Sequence, residues 1–155
     1  MELPFSEGAE KGSVPHFRTE IAMAELLVPI SPGELIDKIT ILEIKSQRMT
    51  DAAKLHNVRT ELSLLTETWK ASAYSATDIS AEWAGLRDVN GKLWDIEDRI
   101  RDQEREGRFD AEFIELARAV YVTNDERAAI KKRINTRLGS LLVEEKSYAD
   151  YTGRG

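Results

Sequence analysis

Apolar residues recur at alternating spacings of three and four along two long segments of the chain. The first segment, over about 51–71, aligns Leu55, Val58, Leu62, Leu65 and Trp69. The second, over about 80–106, aligns Leu86, Val89, Leu93, Ile96 and Ile100. Because an α-helix has about 3.6 residues per turn, this spacing gives each segment a narrow apolar stripe that another helix must cover. The pattern therefore predicts packed helices.

The best-specified single element is the helix that opens at Ser31-Pro32-Gly33-Glu34. Serine is a favoured N-cap, and proline suits the first helical position because its missing N–H would have no partner there. Glu34 completes a capping box. The pattern predicts helix A over 31–49, followed by helix B over about 51–71 and helix C over about 80–106.

Two further helices are predicted after Gly107, which is a natural helix stop. Helix D covers about 110–122. A second capping box at Thr123-Asn124-Asp125-Glu126 predicts a kink or a fresh start there, and helix E then covers about 124–138. The fold class that follows is all-α: an antiparallel bundle of four to five helices with short connections.

Two short apolar runs, 24–30 and 141–143, lie outside these helices. Pro29 cannot donate a ladder hydrogen bond, so the first run suits an edge strand or an extended arm. The two runs could pair as a minor extended element near the two ends of the domain. We expect an irregular N-terminal extension over 1–22, a single helical domain over 23–151 and a flexible tail over 152–155.

The charge balance and the absence of cysteine exclude several classes of protein. The chain has 28 acidic and 22 basic residues, a net charge of −6, which does not favour nucleic-acid binding. Without cysteine there is no disulfide, thiol nucleophile or thiolate metal site. No apolar run approaches the roughly 20 residues of a membrane-spanning helix. We therefore expect a cytoplasmic protein without membrane insertion, nucleic-acid partner, metal or cofactor.

Helix A is apolar on two sides. Beside its main stripe, a second stripe contains Asp37, Ile41, Ile44 and Arg48 at steps of four, three and four. A helix with two apolar sides is usually central in a bundle or shared with a partner. The charges of this stripe either reach solvent or pair with neighbouring helices, or the stripe forms a dimer interface or the rim of a pocket.

Helix E is basic and helix C is acidic, so the groove between them could hold an anion. Arg127 falls on the inward line of helix E if helices D and E are continuous, and it could bind an anion or hold a buried carboxylate such as Asp37. Arg48 and Lys131 complete a candidate anion-binding set between helices A, C and E. The alternative is a basic face that only complements the acidic face of helix C. Convergence of the three cations around an open cavity would favour a site, and pairing with neighbouring carboxylates would favour a structural role.

Two enzyme families share short patterns with this chain. Glu34 and Asp37 on helix A, with Asp95, Asp98 and Asp102 on one face of helix C, resemble the paired acidic helices of all-α nucleotide pyrophosphohydrolases. That resemblance implies a Mg²⁺ site. The chain lacks the glutamate-rich signature of that family, and a salt-bridged, solvated face explains the same residues without a metal.

The run Ile36-Asp37-Lys38-Ile39 leading to Arg48-Met49 resembles the first helix of the helical chorismate mutases. Those enzymes hold a dicarboxylate transition state with arginines and a lysine from several helices. The arginine that the family places upstream is missing here, because residues 32–35 are Pro-Gly-Glu-Leu. The spacing from Asp37 to Arg48 is also shorter than the family pattern.

Three segments carry a broader resemblance: LLVPISPGELIDKITILEIKSQRM, FIELARAVYVTNDERAAIKKRIN and LVEEKSY. Together they resemble an uncharacterised bacterial protein family known only as a domain of unknown function. The resemblance covers roughly 23–151, and members of that family begin near the position of Met23. It implies no activity, cofactor or site residue.

The sequence favours a non-enzymatic helical module that acts through protein–protein contacts, as a homodimer or with another protein. The two apolar sides of helix A and the lack of a catalytic constellation support this hypothesis. The alternative is a small-molecule anion site or an enzymatic site between the helices.

Overall fold

The computed structural model describes residues 25–153, so the predicted extension over 1–22 lies outside the described residues. Its four helices are α1 (Pro32–Arg48), α2 (Ala52–Ala71), α3 (Ser80–Arg105) and α4 (Ala111–Arg137). A short 3-10 turn, Ala73–Ala76, separates α2 from α3. No strand occurs between residues 25 and 153. The predicted all-α helical bundle is confirmed.

Helix α1 is the central element, because it packs against α2, α3 and α4. Its start is the predicted one: Ser31 is the N-cap, and its side chain accepts a hydrogen bond from the N–H of Glu34 at 3.2 Å. Both of its apolar sides are covered within the chain, since Ile36, Ile39 and Ile44 are all buried. The two-sided pattern of helix A therefore reflects its position in the middle of one bundle.

The core lies where the faces of α1, α3 and α4 meet, and the last turn of α2 closes one end. Trp69 of α2 stands edge-on to Trp83 of α3, with ring centroids 6.0 Å apart. The buried apolar residues of this core cluster are Leu35, Ile36, Ile39, Trp69, Ile79, Leu86, Val89, Leu93, Ile130 and Ile134. Trp69, Leu86, Val89 and Leu93 belong to the two apolar stripes that the sequence defines.

Helices α3 and α4 form a hairpin and share the most extensive contact in the bundle. The turn needs Gly107, whose φ of +64° lies in the left-handed region that favours glycine. The predicted stop is thus in place, and α4 returns along α3.

The fresh start that was one of the two alternatives predicted at Thr123 is wrong, because α4 is one uninterrupted helix from Ala111 to Arg137. The segment contains neither proline nor glycine, and the low helix propensity of Val122 and Thr123 costs only tenths of a kcal/mol each. Thr123 is buried, in line with Leu116 and Ile130. Packing of that continuous line outweighs the local capping signal.

The two apolar runs at the ends of the domain are extended but do not pair as strands. Residues 25–31 and 141–151 have no regular secondary structure, and no backbone hydrogen bond joins the two segments. They do meet, because Pro29 and Ile30 line a shallow depression together with Leu142 and Val143. The two runs therefore lie beside one depression and do not form the predicted minor pair of strands.

The C-terminal segment, residues 140–153, runs back along α4. Glu144 contacts Lys131 at 2.7 Å and Lys146 contacts Asp125 at 3.4 Å, while Tyr151 packs edge-on against Tyr121. We call this segment the C-terminal strap. None of the four helices described is long and apolar enough to cross a membrane.

Candidate functional site

The second stripe of α1 faces the neighbouring helices of the same chain. Asp37 and Ile44 are buried, and Ile41 is partly exposed at the edge of a cavity. Arg48 lies at the end of the helix and is more exposed. Two of the four residues predicted as buried charges or interface, Asp37 and Ile44, thus lie inside the bundle, and Ile41 faces the cavity.

Asp37 belongs to a buried polar network between α1 and α3. The side-chain amide of Asn90 donates to Oδ1 of Asp37 at 2.9 Å and to the hydroxyl of Thr40 at 3.1 Å. The Thr40 hydroxyl in turn donates to the backbone carbonyl of Asp37 at 2.9 Å. All three side chains are at most 5% exposed. The partner of this buried carboxylate is therefore an amide, where the sequence had suggested Arg127.

Arg48 is held against α3. Its guanidinium makes an ion pair with Asp95 and lies 5.9 Å from the ring centre of Trp94. A cation over an aromatic face is attracted by the negative charge of the ring face. Arg48 is thus occupied by one carboxylate and one indole of the same helix.

Lys131 is a buried cation between two carboxylates. Its ammonium lies 2.6 Å from Glu34 of α1 and 2.7 Å from Glu144 of the C-terminal strap, and the side chain is only 8% exposed. Burial disfavours the charged form, but the hydrogen bonds to Glu144 and Glu34 outweigh it and raise the pKa of Lys131 above its ordinary value. The same contact lowers the pKa of Glu144. Lys131 therefore joins three parts of the fold.

A cavity of about 330 Å³ opens between α1, α3 and α4. Its apolar lining is Ile41, Leu93 and Trp94, and two amides, Asn90 and Asn124, face it from α3 and α4. This volume falls within the range of small-molecule sites, which combine an apolar lining with a few fixed polar groups. The cavity is the candidate functional site.

Four charged residues also line the cavity: Glu97, Asp98 and Arg101 of α3 and Arg127 of α4. Glu97 and Arg101 neutralise each other in an ion pair of 2.9 Å. Within residues 25–153, neither Asp98 nor Arg127 makes an ion pair. The cavity thus presents one acidic and one basic group on opposite helices.

The structure does not bring the three predicted anion-binding residues together. Arg127 lines the cavity, but Arg48 and Lys131 are not part of its wall and are held by Asp95, Glu34 and Glu144. Arg48, Arg127 and Lys131 therefore do not form one cluster of positive charges that could hold a dicarboxylate. The chorismate-mutase-like site finds no support in this geometry.

The acidic face of α3 is divided among separate partners. Asp95 pairs with Arg48, and Asp102 pairs with Arg105 at 2.8 Å. No three histidine or acidic side chains between residues 25 and 153 are grouped closely enough to hold a metal ion. Of the three aspartates on α3 that resembled a Mg²⁺ site, Asp95 and Asp102 form ion pairs and Asp98 lines the cavity.

Sequence reasoning did not single out the two amides of the cavity. The sequence did contain a signal for Asn90, since this polar residue lies between Val89 and Leu93 on the inward side of α3. Asn124 was assigned to a capping box at the start of helix E and was not considered as a lining residue. It lies three residues before Arg127, so the two residues are one turn apart on one face of the helix.

A second feature is the exposed apolar surface of the two extended segments, of which residues 29–30 and 142–143 line one depression. We call it the apolar end surface, and its members are Leu26, Leu27, Val28, Ile30, Leu141, Leu142 and Val143. Leu26, Leu27 and Leu141 are between 86% and 98% exposed. Exposed apolar surface of this kind marks binding sites more often than scattered single residues do.

One comparison with known proteins finds a match. A family model described as a family of unknown function (DUF6165) matches residues 26–153. The chain belongs to this family. No curated protein and no solved structure matches this member of DUF6165. Membership confirms the predicted resemblance to a domain family of unknown function, and it adds no activity or ligand.

Proposed function

We propose that this protein is a helical interaction module that forms a homodimer through its apolar end surface. The observation that carries the proposal is the exposure of seven aliphatic residues on two adjoining extended segments. Leaving such side chains in water is unfavourable by about 25 cal/mol per Å² of apolar area. A second copy of the same surface would cover them.

The backbone of these segments supports a second copy as the occupant. Among the described residues, the N–H groups of residues 26–28 and 30 have no backbone hydrogen-bond partner. An extended segment that meets its own copy across a two-fold axis pairs antiparallel with itself, so each donor finds an acceptor. Pro29 lacks a donor, which is tolerated on an edge strand.

The size of the surface is consistent with the centre of a dimer interface. The seven residues together expose on the order of 500 Å² of apolar area, taking about 100 Å² for a fully exposed aliphatic side chain. This is the size at which exposed patches on monomers tend to be functional. It is about half of what each partner buries in a standard interface, so polar residues around it would supply the rest.

Light scattering coupled to size exclusion tests the proposal on the full chain. We expect a mass of twice 17.5 kDa at concentrations from micromolar to millimolar. The double variant Leu27→Ser with Leu141→Ser should run as a monomer, because both side chains are almost fully exposed and removing them leaves the core intact.

The matched control is Leu64→Ser, which removes a half-exposed leucine from α2, outside the apolar end surface. It should remain dimeric. A wild-type chain that is monomeric at millimolar concentration would overturn the homodimer. A double variant that remains dimeric would show that another surface forms the interface.

A further inference from the structure

The charges that line the cavity between α1, α3 and α4 select the kind of ligand that fits it. Glu97 and Arg101 neutralise each other. The lining charges that remain without an ion-pair partner are Asp98 on α3 and Arg127 on α4. Arg127 also contributes to lowering the pKa of Glu144, but that carboxylate is bound by Lys131 at 2.7 Å. One acidic and one basic group therefore remain available on two sides of one cavity.

Asn90 gives the cavity a polar group of fixed orientation. It is 5% exposed, and both hydrogens of its amide are used, one on Asp37 and one on Thr40. Its carbonyl oxygen is the only polar side-chain atom that it can offer a ligand, and this atom is an acceptor. The buried network therefore presets a hydrogen-bond acceptor in the wall of the cavity.

We propose that this cavity binds a small zwitterion of the amino-acid class, with an apolar side chain. Its ammonium group would contact Asp98 and the carbonyl oxygen of Asn90, and its carboxylate would contact Arg127. The apolar part would lie against Ile41, Leu93 and Trp94. A ligand with a single charge would form one of these two ion pairs, whereas a zwitterion would form both. This site is independent of the proposed dimer surface.

Three probes that share one apolar body distinguish the ligand classes. They are L-phenylalanine, which is a zwitterion, phenethylamine, which keeps only the ammonium, and 3-phenylpropanoate, which keeps only the carboxylate. The chain has three tryptophans, so the indole N–H of Trp94 gives an NMR signal that Trp94→Phe assigns. We expect L-phenylalanine to shift this signal at a concentration about tenfold lower than either singly charged probe.

Two variants assign the two charges of the ligand. Arg127→Ala should weaken L-phenylalanine about tenfold and leave phenethylamine unchanged, whereas Asp98→Asn should weaken L-phenylalanine and leave 3-phenylpropanoate unchanged. The matched controls are Arg118→Ala on α4 and Glu104→Gln on α3, which change exposed charges outside the cavity. Both should bind L-phenylalanine like the wild type, and circular dichroism checks the fold of all four variants.

Two results would overturn the proposal. One is a Trp94 signal that none of the three probes shifts up to their solubility limits. The other is a singly charged probe that binds as tightly as L-phenylalanine, because the pairing of two opposite charges would then carry no selectivity.

Discussion

Gly33 lies where the first turn of α1 crosses the backbone of α4. Its N–H donates to the side-chain oxygen of Asn135 at 2.8 Å, and Asn135 is only 1% exposed. A Cβ on Gly33 would lie 2.6 Å from the carbonyl oxygen of Lys131, closer than real contacts allow. Glycine is therefore needed for the close approach of two helices, and Asn135 satisfies an N–H that the helix start leaves unpaired.

Gly33→Ala should lower the free energy of unfolding by roughly 3 kcal/mol, because the new methyl group forces backbone apart and breaks the Asn135 hydrogen bond. Gly91→Ala is the matched control. It lies inside α3 where an added Cβ has room, so alanine should raise stability by up to about 1 kcal/mol. Urea denaturation of both variants measures the difference. A Gly33→Ala protein as stable as the wild type would show that α1 and α4 can separate without cost.

The C-terminal strap shows how an element without regular structure is held in place. Glu144, Glu145 and Lys146 each pair with a residue of α4. Only the Glu144 contact reaches a buried partner, since Lys131 is 8% exposed and Lys132 is 57% exposed. A buried partner is screened less by water, so Glu144 should contribute most of the electrostatic attachment.

The contribution of Glu144 should depend on pH in a defined direction. Because Lys131 lowers the pKa of this carboxyl in the folded state, its stabilisation is complete above the ordinary value near 4.5 and is lost as pH falls through the folded value. The pKa of Lys131 is raised in the folded state. The stabilisation that depends on its charge is therefore complete below pH 10.5 and is lost only as pH rises through the higher folded value. The contact is therefore strongest between these limits.

Glu144→Gln should cost about 1 kcal/mol at pH 7, a value discounted because Glu144 is half exposed, and less at pH 3, which lies below the ordinary pKa of this carboxyl. Urea denaturation at both pH values measures the difference from the wild type. Glu145→Gln serves as the neighbouring control. It should change stability little at either pH, because Glu145 and its ion-pair partner Lys132 are both exposed. An equal cost for Glu144→Gln at both pH values would argue against the ion pair.

The continuity of α4 through Thr123 can be tested by amide hydrogen exchange. In a continuous helix the N–H groups of residues 124–126 donate four residues back, whereas a capped restart would leave them without helical partners. We expect NMR exchange rates at 124–126 as slow as those of residues 128–130. Residues 111–113, in the first turn of α4, should exchange fast and provide the internal control. Fast exchange at 124–126 would support two helices.

At the scale of the whole molecule, α1 connects the parts of the chain. It contacts the other three helices, supplies Asp37 and Thr40 to the buried network, and reaches the C-terminal strap through Glu34 and Lys131. Asp37 and Ile44 of the second stripe, which had suggested a partner, are therefore buried within the chain, and Ile41 lies at the cavity. The surface left exposed lies at the ends of the domain, which is why the proposed dimer uses the extended segments.

The sequence by itself determined the helices, their stripes and most of their ends. Leu86, Val89 and Leu93, which the spacing places inward, are buried, and the start at Ser31 and the turn at Gly107 are where the sequence puts them. These features depend on contacts within a few residues of one another, so a local pattern contains the information that fixes them.

Only the tertiary structure decided how the charged and polar side chains are paired. Lys131 meets Glu34 and Glu144, and Asn90 meets Asp37, across separations that no local pattern encodes. The same is true of Thr123, where burial along α4 outweighed a local capping signal. Desolvation makes a buried polar group depend on its exact partner, and the partner is known only when the helices are packed.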